Sequence, residues 1–411
     1  MTDVTRLRID RLGQHGDGVA QGPVFAPLTL PGELVEGHVA GKDLRDLRIV
    51  EPSSDRVAPP CRHFRSCGGC QLQHASDAFV ARWKQQVVET ALAANGLEAA
   101  FLPISVSPPR SRRRATFAAR RTKKGAMAGF HARASDVIVE IPDCILLDPD
   151  LMSAIPVAEE LATLGASRKT NLAVSVTESL SGLDVSVSGG KALDGPMRQD
   201  LAILAQKHDL ARLCWDDDVI VTRCPPDQKF DGITVVPPPG AFLQATPDGE
   251  AALLEDVRQI VAGAGQIADL FAGCGTFALP LARAASVHAV EGDAAMVKAL
   301  EAGWRKAQGL KPVTHEARDL FRRPLMPDEL AQFDAVVIDP PRAGAAAQIA
   351  EIAASSVPVV AYVSCSPASF ARDARILVDH GFAMDRIRVV DQFRWSSHVE
   401  LVAGFSRTRT A

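Results

Sequence analysis

The spacing of hydrophobic and polar positions is the first guide to the architecture of this 411-residue chain. In residues 1–54, short apolar segments alternate with turns rich in Gly and Pro, a pattern that predicts a small β-barrel. The segments are VTRLRI, GPVFAP, ELVEGHVA and LRIVEP. Two prolines, Pro59 and Pro60, follow the predicted barrel.

Residues 55–240 show the mixed pattern of an α+β domain. Apolar residues recur at helical spacing over 79–95, and Asn95–Gly96 supplies a C-terminal stop, so a helix is predicted there. Its apolar face consists of Val80, Trp83, Val87, Val88, Ala91 and Leu92. Farther along, the alternating segment LDVSVSG (183–189) predicts a strand of an antiparallel sheet.

In residues 241–411 the pattern of apolar and polar positions changes again. Continuous apolar segments (QIADLF, SVHAVEG, FDAVVID and VPVVAYVS) alternate with helical stretches such as 293–308 and 343–354. That alternation predicts a Rossmann-like α/β domain, with a parallel sheet covered by helices on both faces. Three domains suit the length, because single cores stop growing at roughly 250–300 residues.

Composition narrows the class of protein. Hydrophobic residues make up 47% and charged residues 23%, which indicates a globular chain and excludes long disorder. The net charge of -4 is unlike that of a strongly basic nucleic-acid binder, but one segment is basic throughout. It contains Arg110, Arg112, Arg113, Arg114, Arg120, Arg121, Lys123 and Lys124, without an acidic residue.

The sequence also bears on location and assembly. The N-terminus lacks the apolar region of a secretory signal, and the sequence has no run of 18 strictly apolar residues. We therefore expect a cytoplasmic protein that does not enter a membrane. We also expect a monomer without an obligate protein partner.

The first chemical motif is Asp269-Leu-Phe-Ala-Gly273-Cys-Gly275, at the predicted junction of a strand, a Gly-rich turn and a helix. Glycines let the backbone approach a ligand closely, and the helix N-terminus faces it. Glu291 ends the next predicted strand, where an acid can accept hydrogen bonds from ribose hydroxyls. The third glycine of a dinucleotide fingerprint is missing, which favours S-adenosylmethionine (SAM) over NAD.

Two further motifs follow predicted strands of the same sheet. Asp339-Pro-Pro-Arg342 comes directly after FDAVVI, and Cys365 comes directly after AYVS. Both therefore lie at the carboxyl edge of the sheet, where open α/β sheets bind ligands. Near the C-terminus, Glu400 is a candidate general base, and His398 either orients it or simply packs beside it.

These residues predict a methyl transfer to a pyrimidine. Uracil C5 is a poor nucleophile, but addition of a cysteine thiolate at C6 places electron density on C5. The reaction needs a nucleophile (Cys365), a base (Glu400) and a nearby methyl donor. The thiolate is the attacking species, so the surroundings of Cys365 are expected to lower its pKa. The target uracil must also be drawn out of the stack of RNA bases.

Cysteines near the predicted helix form a separate cluster. Cys61, Cys67 and Cys70 follow the spacing C-x5-C-x2-C, and Cys144 lies farther downstream. Four thiolates suit an iron–sulfur cluster or a tetrahedral zinc. The spacing leaves both open and favours the cluster over zinc.

The ordered motifs resemble the family of SAM-dependent RNA uracil-5-methyltransferases with an N-terminal TRAM domain and a [4Fe-4S] cluster. The resemblance covers nearly the whole chain and is closest to the 23S rRNA branch. It is carried by CGGCQLQH (67–74), WKQQVVE (83–89), DLFAGCGTFALPLA (269–282), DPPRAG (339–344), SCSPASFARD (364–373) and HVELV (398–402).

The resemblance implies a role for each matching residue. Cys365 would be the nucleophile and Glu400 the base. The cluster would be held by Cys61, Cys67, Cys70 and Cys144. Positions that contact SAM or the target base would be Gln244, Phe271, Gly273, Gly275, Glu291, Asp319 and Asp339. Residues 1–54 would be the RNA-binding TRAM barrel, and the basic segment 110–124 would contact RNA phosphates.

The chain departs from the family at four positions bordering the expected pocket. Asn is usual at Thr246 and Ser366, and Pro and Thr are usual at Arg394 and Ser396. These differences bear on target choice, whereas the nucleophile and the base are both present.

Other interpretations remain open at this point. Transfer RNA is an alternative substrate, although the TRAM domain and the cluster favour ribosomal RNA by resemblance. A non-catalytic RNA-binding factor on this scaffold would be expected to lose Cys365 or Glu400. Cytosine-5 methylation uses similar chemistry, but the context of both residues favours uracil. A radical-SAM enzyme would need the spacing C-x3-C-x2-C.

Overall fold

A computed structural model describes residues 4–407. The first three residues of the predicted barrel domain and the last four of the predicted methyltransferase domain lie outside the described residues. Within residues 4–407, no helix combines the length and apolar character that crossing a membrane requires.

The N-terminal strands close into the predicted barrel, in the order β1-β2-β3-β5-β4. Its interior holds Ile9, Ala20, Ala26, Val35 and Leu44. The four predicted segments all form strands, whereas β2 was not predicted because it lies among turn-forming glycines. The strands are β1 (Thr5–Leu12), β2 (Gly18–Ala20), β3 (Val24–Ala26), β4 (Leu34–Ala40) and β5 (Asp43–Glu51).

Helix α1 (Asp77–Ala93) begins and ends two residues before the predicted 79–95. It begins early because the Ser76 hydroxyl accepts a hydrogen bond from the Phe79 N–H at 3.2 Å, an N-cap. Gly96 has φ +66° in the turn that follows the helix. Four residues of the predicted apolar face are buried and the other two, Val87 and Ala91, are half-buried, while the charged Lys84 is buried with them.

A seven-stranded sheet occupies the middle of the chain, in the order β13-β12-β11-β10-β7-β8-β9. The predicted antiparallel pairing of 183–189 is confirmed between β10 and β11, but β11 also pairs in parallel with β12. The elements are β6 (Ser105–Val106), β7 (Arg114–Arg121), β8 (Ala126–His131), β9 (Ile138–Val139), α2 (Ala154–Gly165), β10 (Leu172–Ser179), β11 (Gly182–Ser188), α3 (Gly195–Lys207), β12 (Arg212–Trp215), β13 (Asp218–Thr222) and the hairpin β14 (Gln228–Phe230) and β15 (Ile233–Val235).

The C-terminal sheet has eight strands in the order β18-β17-β16-β19-β20-β22-β21-β6. The first five are parallel as predicted, and an antiparallel β22–β21 pair is added at one side. The elements are α4 (Pro247–Ile260), β16 (Gln266–Leu270), α5 (Ala278–Leu281), β17 (Ser286–Glu291), α6 (Ala294–Lys306), β18 (Val313–Ala317), α7 (Pro327–Leu330), β19 (Ala335–Ile338), α8 (Ala346–Ala354), β20 (Val359–Ser364), α9 (Pro367–Asp379), β21 (Phe382–Asp391) and β22 (Glu400–Arg407).

Helices cover both faces of this sheet, as the sequence predicts, and each face has its own apolar core. The helices predicted at 293–308 and 343–354 are α6 and α8, each slightly shorter than predicted. The strand order reverses between β16 and β19. Such a switch point opens a crevice at the carboxyl edge of the strands, and the candidate site lies there.

Candidate active site

The sheet register brings the predicted nucleophile and base together. Cys365 directly follows β20, and Glu400 is the first residue of β22. Because β20 and β22 are antiparallel and Ser364 pairs with Leu401, both residues lie at the same edge of the sheet. Asp339, which directly follows β19, joins them there.

The Gly-rich turn leaves open space beside the backbone. Gly273 has φ +55°, and a Cβ built on it would meet no heavy atom within 4 Å. Its N–H donates to Glu291 Oε2 at 2.9 Å, while the Asp293 N–H donates to Oε1 at 3.0 Å. At Gly275, by contrast, a Cβ would lie 2.8 Å from Leu279 Cγ. The first glycine thus leaves room for a ligand, and the second permits close packing against α5.

An aromatic pair lies beside this turn. Phe271 has φ +61°, and its ring centroid is 5.4 Å from that of Phe321, which is half exposed. Asp319 is exposed and accepts a hydrogen bond from the Phe321 N–H at 3.0 Å. The structure therefore brings Asp319 and Phe271 to one place, next to an apolar surface suited to a flat ring.

A buried hydrogen-bond network connects the acids of the site. Gln244 Nε2 donates to Asp339 Oδ2 at 3.2 Å. Gln392 Nε2 donates to Gln244 Oε1 at 2.6 Å and to Glu400 Oε2 at 3.1 Å. Gln392 was not singled out in the sequence, because a glutamine beside a strand carries no motif. Its contacts are the only signal of its role.

Burial sets the protonation of these acids. Desolvation raises the pKa of Glu400 well above its usual range, and the nearby Asp339 carboxyl raises it further. Donation from Gln392 and the charge of Arg114 act in the opposite direction. Desolvation likewise raises the pKa of Asp339 to about 7.

The expected lowering of the Cys365 pKa is wrong for the protein without RNA. Burial, followed by the carboxyl groups of Glu400 and Asp339, raises the pKa of this thiol to about 11. Two features favour the thiolate but are outweighed. Arg342 lies near the thiol, and Cys365 directly precedes Ser366, the N-cap of α9.

Asp269 is a third buried acid at this edge. Its side chain is fully buried, and desolvation raises its pKa well above the usual range, with Asp339 and Glu291 adding to the effect. The backbone N–H of Ala278 faces this carboxyl and opposes the rise in its pKa. Neither carboxyl oxygen has a fully formed hydrogen bond within the described part of the chain.

The basic segment 110–124 is only partly exposed, which corrects the expectation that all of it contacts RNA. Arg113 is buried, where it donates to Glu250 Oε2 at 2.5 Å and to the Gln244 carbonyl at 3.0 Å. The Arg114 guanidinium lies 4.3 Å from the Phe242 ring. These arginines support the site, whereas the exposed members are Arg110, Arg121, Lys123 and Lys124.

His398 packs beside the site. Its ring centroid lies 5.6 Å from that of Phe393, and burial lowers its pKa. The backbone N–H of His398 donates to Ser396 Oγ at 3.0 Å. The hydrogen bond that holds Glu400 comes from Gln392, so the packing interpretation of His398 is favoured.

The four positions at which the chain departs from the family pattern have identifiable contacts, and that of Ser396 is the hydrogen bond from the His398 backbone N–H. Thr246 and Ser366 are the N-caps of α4 and α9, a position at which Asn serves equally well. Arg394 donates to Asp77 Oδ2 at 2.6 Å and to the Ser107 carbonyl at 3.2 Å. These side chains therefore support the walls of the site.

One small cavity is lined by all four predicted cluster ligands, which are Cys61, Cys67, Cys70 and Cys144. Their thiols lie close enough to influence one another electrostatically, and burial raises the pKa of Cys70 to about 12. The Gly69 N–H donates to Cys67 Sγ at 3.4 Å, and backbone N–H groups of residues 146 and 147 face Cys144. Donors aimed at sulfur suit metal-bound thiolates.

Arg112 supports the same interpretation. It is largely buried, and the charges that raise its pKa against desolvation are those of Cys70 and Cys144. A buried guanidinium beside cysteines is stabilised when those cysteines are thiolates. Its guanidinium also lies 6.0 Å from the Phe393 ring, next to the active site.

The comparisons with known proteins agree with this geometry. The sequence model of the tRNA (Uracil-5-)-methyltransferase family matches residues 212–407. An uncharacterized RNA methyltransferase of Rhizobium meliloti is 46% identical, with 97% of this chain and 98% of that protein covered. The 23S rRNA (uracil(1939)-C(5))-methyltransferase RlmD of Chromohalobacter salexigens is 32% identical, with 96% and 87% covered.

One solved structure matches the whole architecture. It is the Pyrococcus abyssi tRNA (uracil-54, C5)-methyltransferase in complex with S-adenosyl-L-homocysteine. The TM-score is 0.75 at 23% identity, and 97% of this chain and 99% of that chain are covered. At this identity the likeness shows the shared fold.

Proposed function

Since the chain belongs to the SAM-dependent RNA uracil-5-methyltransferase family, we propose that it methylates C5 of a uridine in 23S rRNA through a covalent adduct with Cys365. The observation that carries the proposal is the placement of Cys365 and Glu400 at one sheet edge by the register of β20 and β22. A nucleophile and a base on neighbouring strands can act on the two adjacent carbons of one ring.

The ribosomal substrate is supported by the relative from Chromohalobacter salexigens, which is named for 23S rRNA and aligns with nearly the whole chain. Transfer RNA is the second candidate. It is favoured by the family that matches residues 212–407 and by the Pyrococcus abyssi structure. The ribosomal assignment is preferred because its relative is the more similar in sequence.

We propose that SAM binds along the Gly-rich turn, where it supplies an electrophilic methyl group. The open space beside Gly273 admits the ligand, and Gly275 keeps the turn packed against α5. Glu291 retains lone pairs for ribose hydroxyls. Phe271 and Asp319 border the apolar surface beside the turn, which is suited to the adenine ring.

The chain's own residues then carry out the covalent steps. The Cys365 thiol must first give up its proton, and the neighbouring Asp339 carboxylate takes it, so that Glu400 stays ionised for the later step. The sulfur bonds to C6, and the C5–C6 π electrons move onto the ring as an enolate. C5 then bonds to the methyl group, whose bond to the donor sulfur breaks with both electrons staying on that sulfur. Glu400 removes the C5 proton, the C5–C6 double bond re-forms, and the C6–sulfur bond breaks to release the thiolate.

We propose a [4Fe-4S] cluster for Cys61, Cys67, Cys70 and Cys144. Bound thiolates around one zinc would lie about 3.8 Å apart, given a zinc–sulfur distance of about 2.3 Å. Within residues 4–407, the one trio of ligand-type atoms that all lie within 4.8 Å of one another is Asp148, Asp150 and Glu178. No three of the four cysteine sulfurs meet this limit, so they are farther apart than ligands of a single zinc, and this supports a multinuclear cluster.

RNA contacts are proposed for the TRAM-like barrel and for the exposed basic residues around the β7–β8 hairpin. Arg121, Lys123 and Lys124 lie at the tip of this hairpin, where they are free to reach phosphates. Such contacts position a substrate without specifying its sequence.

A tritium-release assay tests the reaction and the substrate class together. RNA labelled at uracil C5 is prepared as separate ribosomal and transfer RNA fractions from cells that lack the enzyme. Tritium release from ribosomal RNA alone supports the proposal. Tritium release from transfer RNA alone would make transfer RNA the substrate. No release from either fraction, with normal SAM binding, favours cytosine chemistry or a non-catalytic role.

Two variants test the residue roles. Cys365→Ala should abolish turnover and leave SAM binding intact, because the sulfur forms the bond to C6. Glu400→Gln should still form the adduct but fail to resolve it, so that a protein–RNA complex stable in SDS accumulates. Normal turnover by either variant would exclude the role assigned to that residue.

A further inference from the structure

We propose that Gln392 is a positioning residue of the methyl-transfer reaction, because its amide holds the Glu400 carboxylate and the Gln244 side chain in one fixed arrangement. The inference rests on the proposed roles of Cys365 and Glu400. It adds to them a residue that is not the nucleophile, the base or a SAM ligand.

The contacts of Gln392 use both ends of its amide. The residue is 1% exposed. Nε2 donates to Gln244 and to Glu400, and Oε1 accepts a hydrogen bond from the Ala245 N–H at 2.7 Å. Both N–H donors are thereby committed, so rotation of the side chain would break every one of these bonds in a buried environment.

The backbone around Gln392 is equally constrained. On one side, Asp391 pairs with Lys84 at 2.5 Å, and Lys84 also donates to the Phe393 carbonyl at 3.1 Å. On the other side, the Trp395 carbonyl accepts hydrogen bonds from the N–H groups of Gln71 and Leu72 at 2.8 and 2.9 Å.

Helix α4 closes the remaining side of Gln392. A Cβ built on Gly249 would lie 2.6 Å from the Gln392 Cβ, so the two backbones are in close contact. The position of the Gln392 amide is therefore set by packing from several elements at once.

This arrangement has an electrostatic consequence for Glu400. A base must be ionised to remove a proton, yet desolvation and the Asp339 carboxyl both raise the pKa of Glu400. Arg114 on β7 and the donor from Gln392 oppose them, and the Cys365 thiol is a further titratable neighbour. Loss of the Gln392 donor should therefore move the proton-removal step to higher pH and misalign the base.

The test uses the full-length protein and C5-tritiated ribosomal RNA in single turnovers. Gln392→Met keeps the length of the side chain and removes its hydrogen bonds. We expect tritium release to slow by about 10- to 100-fold, the usual effect of losing a hydrogen bond to a charged group. The SDS-stable adduct should accumulate, and the pH midpoint of release should rise.

Gln348→Met is the matched control. Gln348 is also buried and bonds to the backbone of Leu325 through both ends of its amide, at 2.8 and 3.1 Å, but it lies in α8. It should lose a comparable amount of thermal stability and keep the wild-type pH midpoint. If Gln348→Met moves that midpoint as far as Gln392→Met does, the effect is one of general destabilisation and the proposal fails.

A second variant covers the case in which Gln392→Met does not fold. Gln392→Glu is nearly isosteric but adds another acid beside Glu400, in addition to Asp339, so release should again shift to higher pH. Wild-type release rates and pH midpoints in the folded variants would overturn the proposal. Absence of release by the wild type, or of an adduct with Glu400→Gln, would instead overturn the proposed function.

Discussion

The buried ion pair between Lys84 and Asp391 links α1 to the end of β21, and its removal should be costly. Lys84 Nζ lies 2.5 Å from Asp391 Oδ1, with the two side chains 0% and 3% exposed. Lys84→Met fills a similar volume but leaves the Asp391 carboxylate buried without its cation. We expect the free energy of unfolding to fall by about 3–5 kcal/mol, as when one partner of a buried pair is removed.

The double variant Lys84→Met with Asp391→Asn should recover much of that loss. Desolvation lowers the pKa of Lys84 even though Asp391 opposes it, so burial of the ammonium outweighs its attraction to the carboxylate. The intact pair is therefore worth far less than the penalty for breaking it. Neutralising both partners removes the desolvation cost along with the attraction.

Urea unfolding followed by tryptophan fluorescence measures these differences, since Trp83 is buried in α1 directly before Lys84. The control is Lys207→Met, which removes an exposed pair with Glu160 whose side chains are 60% and 39% exposed. It should cost about 0.2–1 kcal/mol. The reasoning would be refuted if Lys84→Met lowered the free energy of unfolding no more than this control does. It would also be refuted if the double variant recovered none of the loss.

Three further predictions concern single side chains. At pH 7, iodoacetamide should modify Cys365 roughly a hundredfold more slowly than an unperturbed thiol, because a pKa of about 11 leaves little thiolate; peptide mass spectrometry measures the rate, and a normal rate would contradict the burial argument. Asp269→Asn should raise the melting temperature more at pH 8 than at pH 5. The pKa of Asp269 is higher in the folded protein than in the unfolded chain, so burying this acid carries no penalty below the unfolded-state pKa and destabilises the fold as pH rises above it. A difference in melting temperature between variant and wild type that does not change with pH would contradict this explanation. Thr246→Ala should cost about 0.5–2 kcal/mol through the lost N-cap bond to the Gly249 N–H at 3.0 Å, whereas Thr246→Asn should cost much less; equal melting temperatures for the two would exclude the capping explanation.

Local patterns in the sequence determined the elements and the composition of the site. Apolar runs such as 333–339 and 357–364 predict strands because a strand buried on both faces must be apolar along its length. Gly, Pro and Cys at the ends of those runs then indicate the ligand-binding edge. The structure confirms the barrel and the parallel strands, and it places Cys365, Glu400 and Asp339 together.

The tertiary structure decided what depends on residues far apart in the chain. No role was predicted for Gln392 or Lys84 from the sequence. Their importance comes from partners such as Gln244 and Asp391, brought close by the pairing of β21 with β22 and the packing of α1. Arg113 belongs to a basic segment but is buried against Glu250. The pKa of Cys365 is raised because the fold encloses the thiol with carboxyl groups in a poorly solvated interior. Burial and neighbouring charge set that value, and neither exists until the chain has folded.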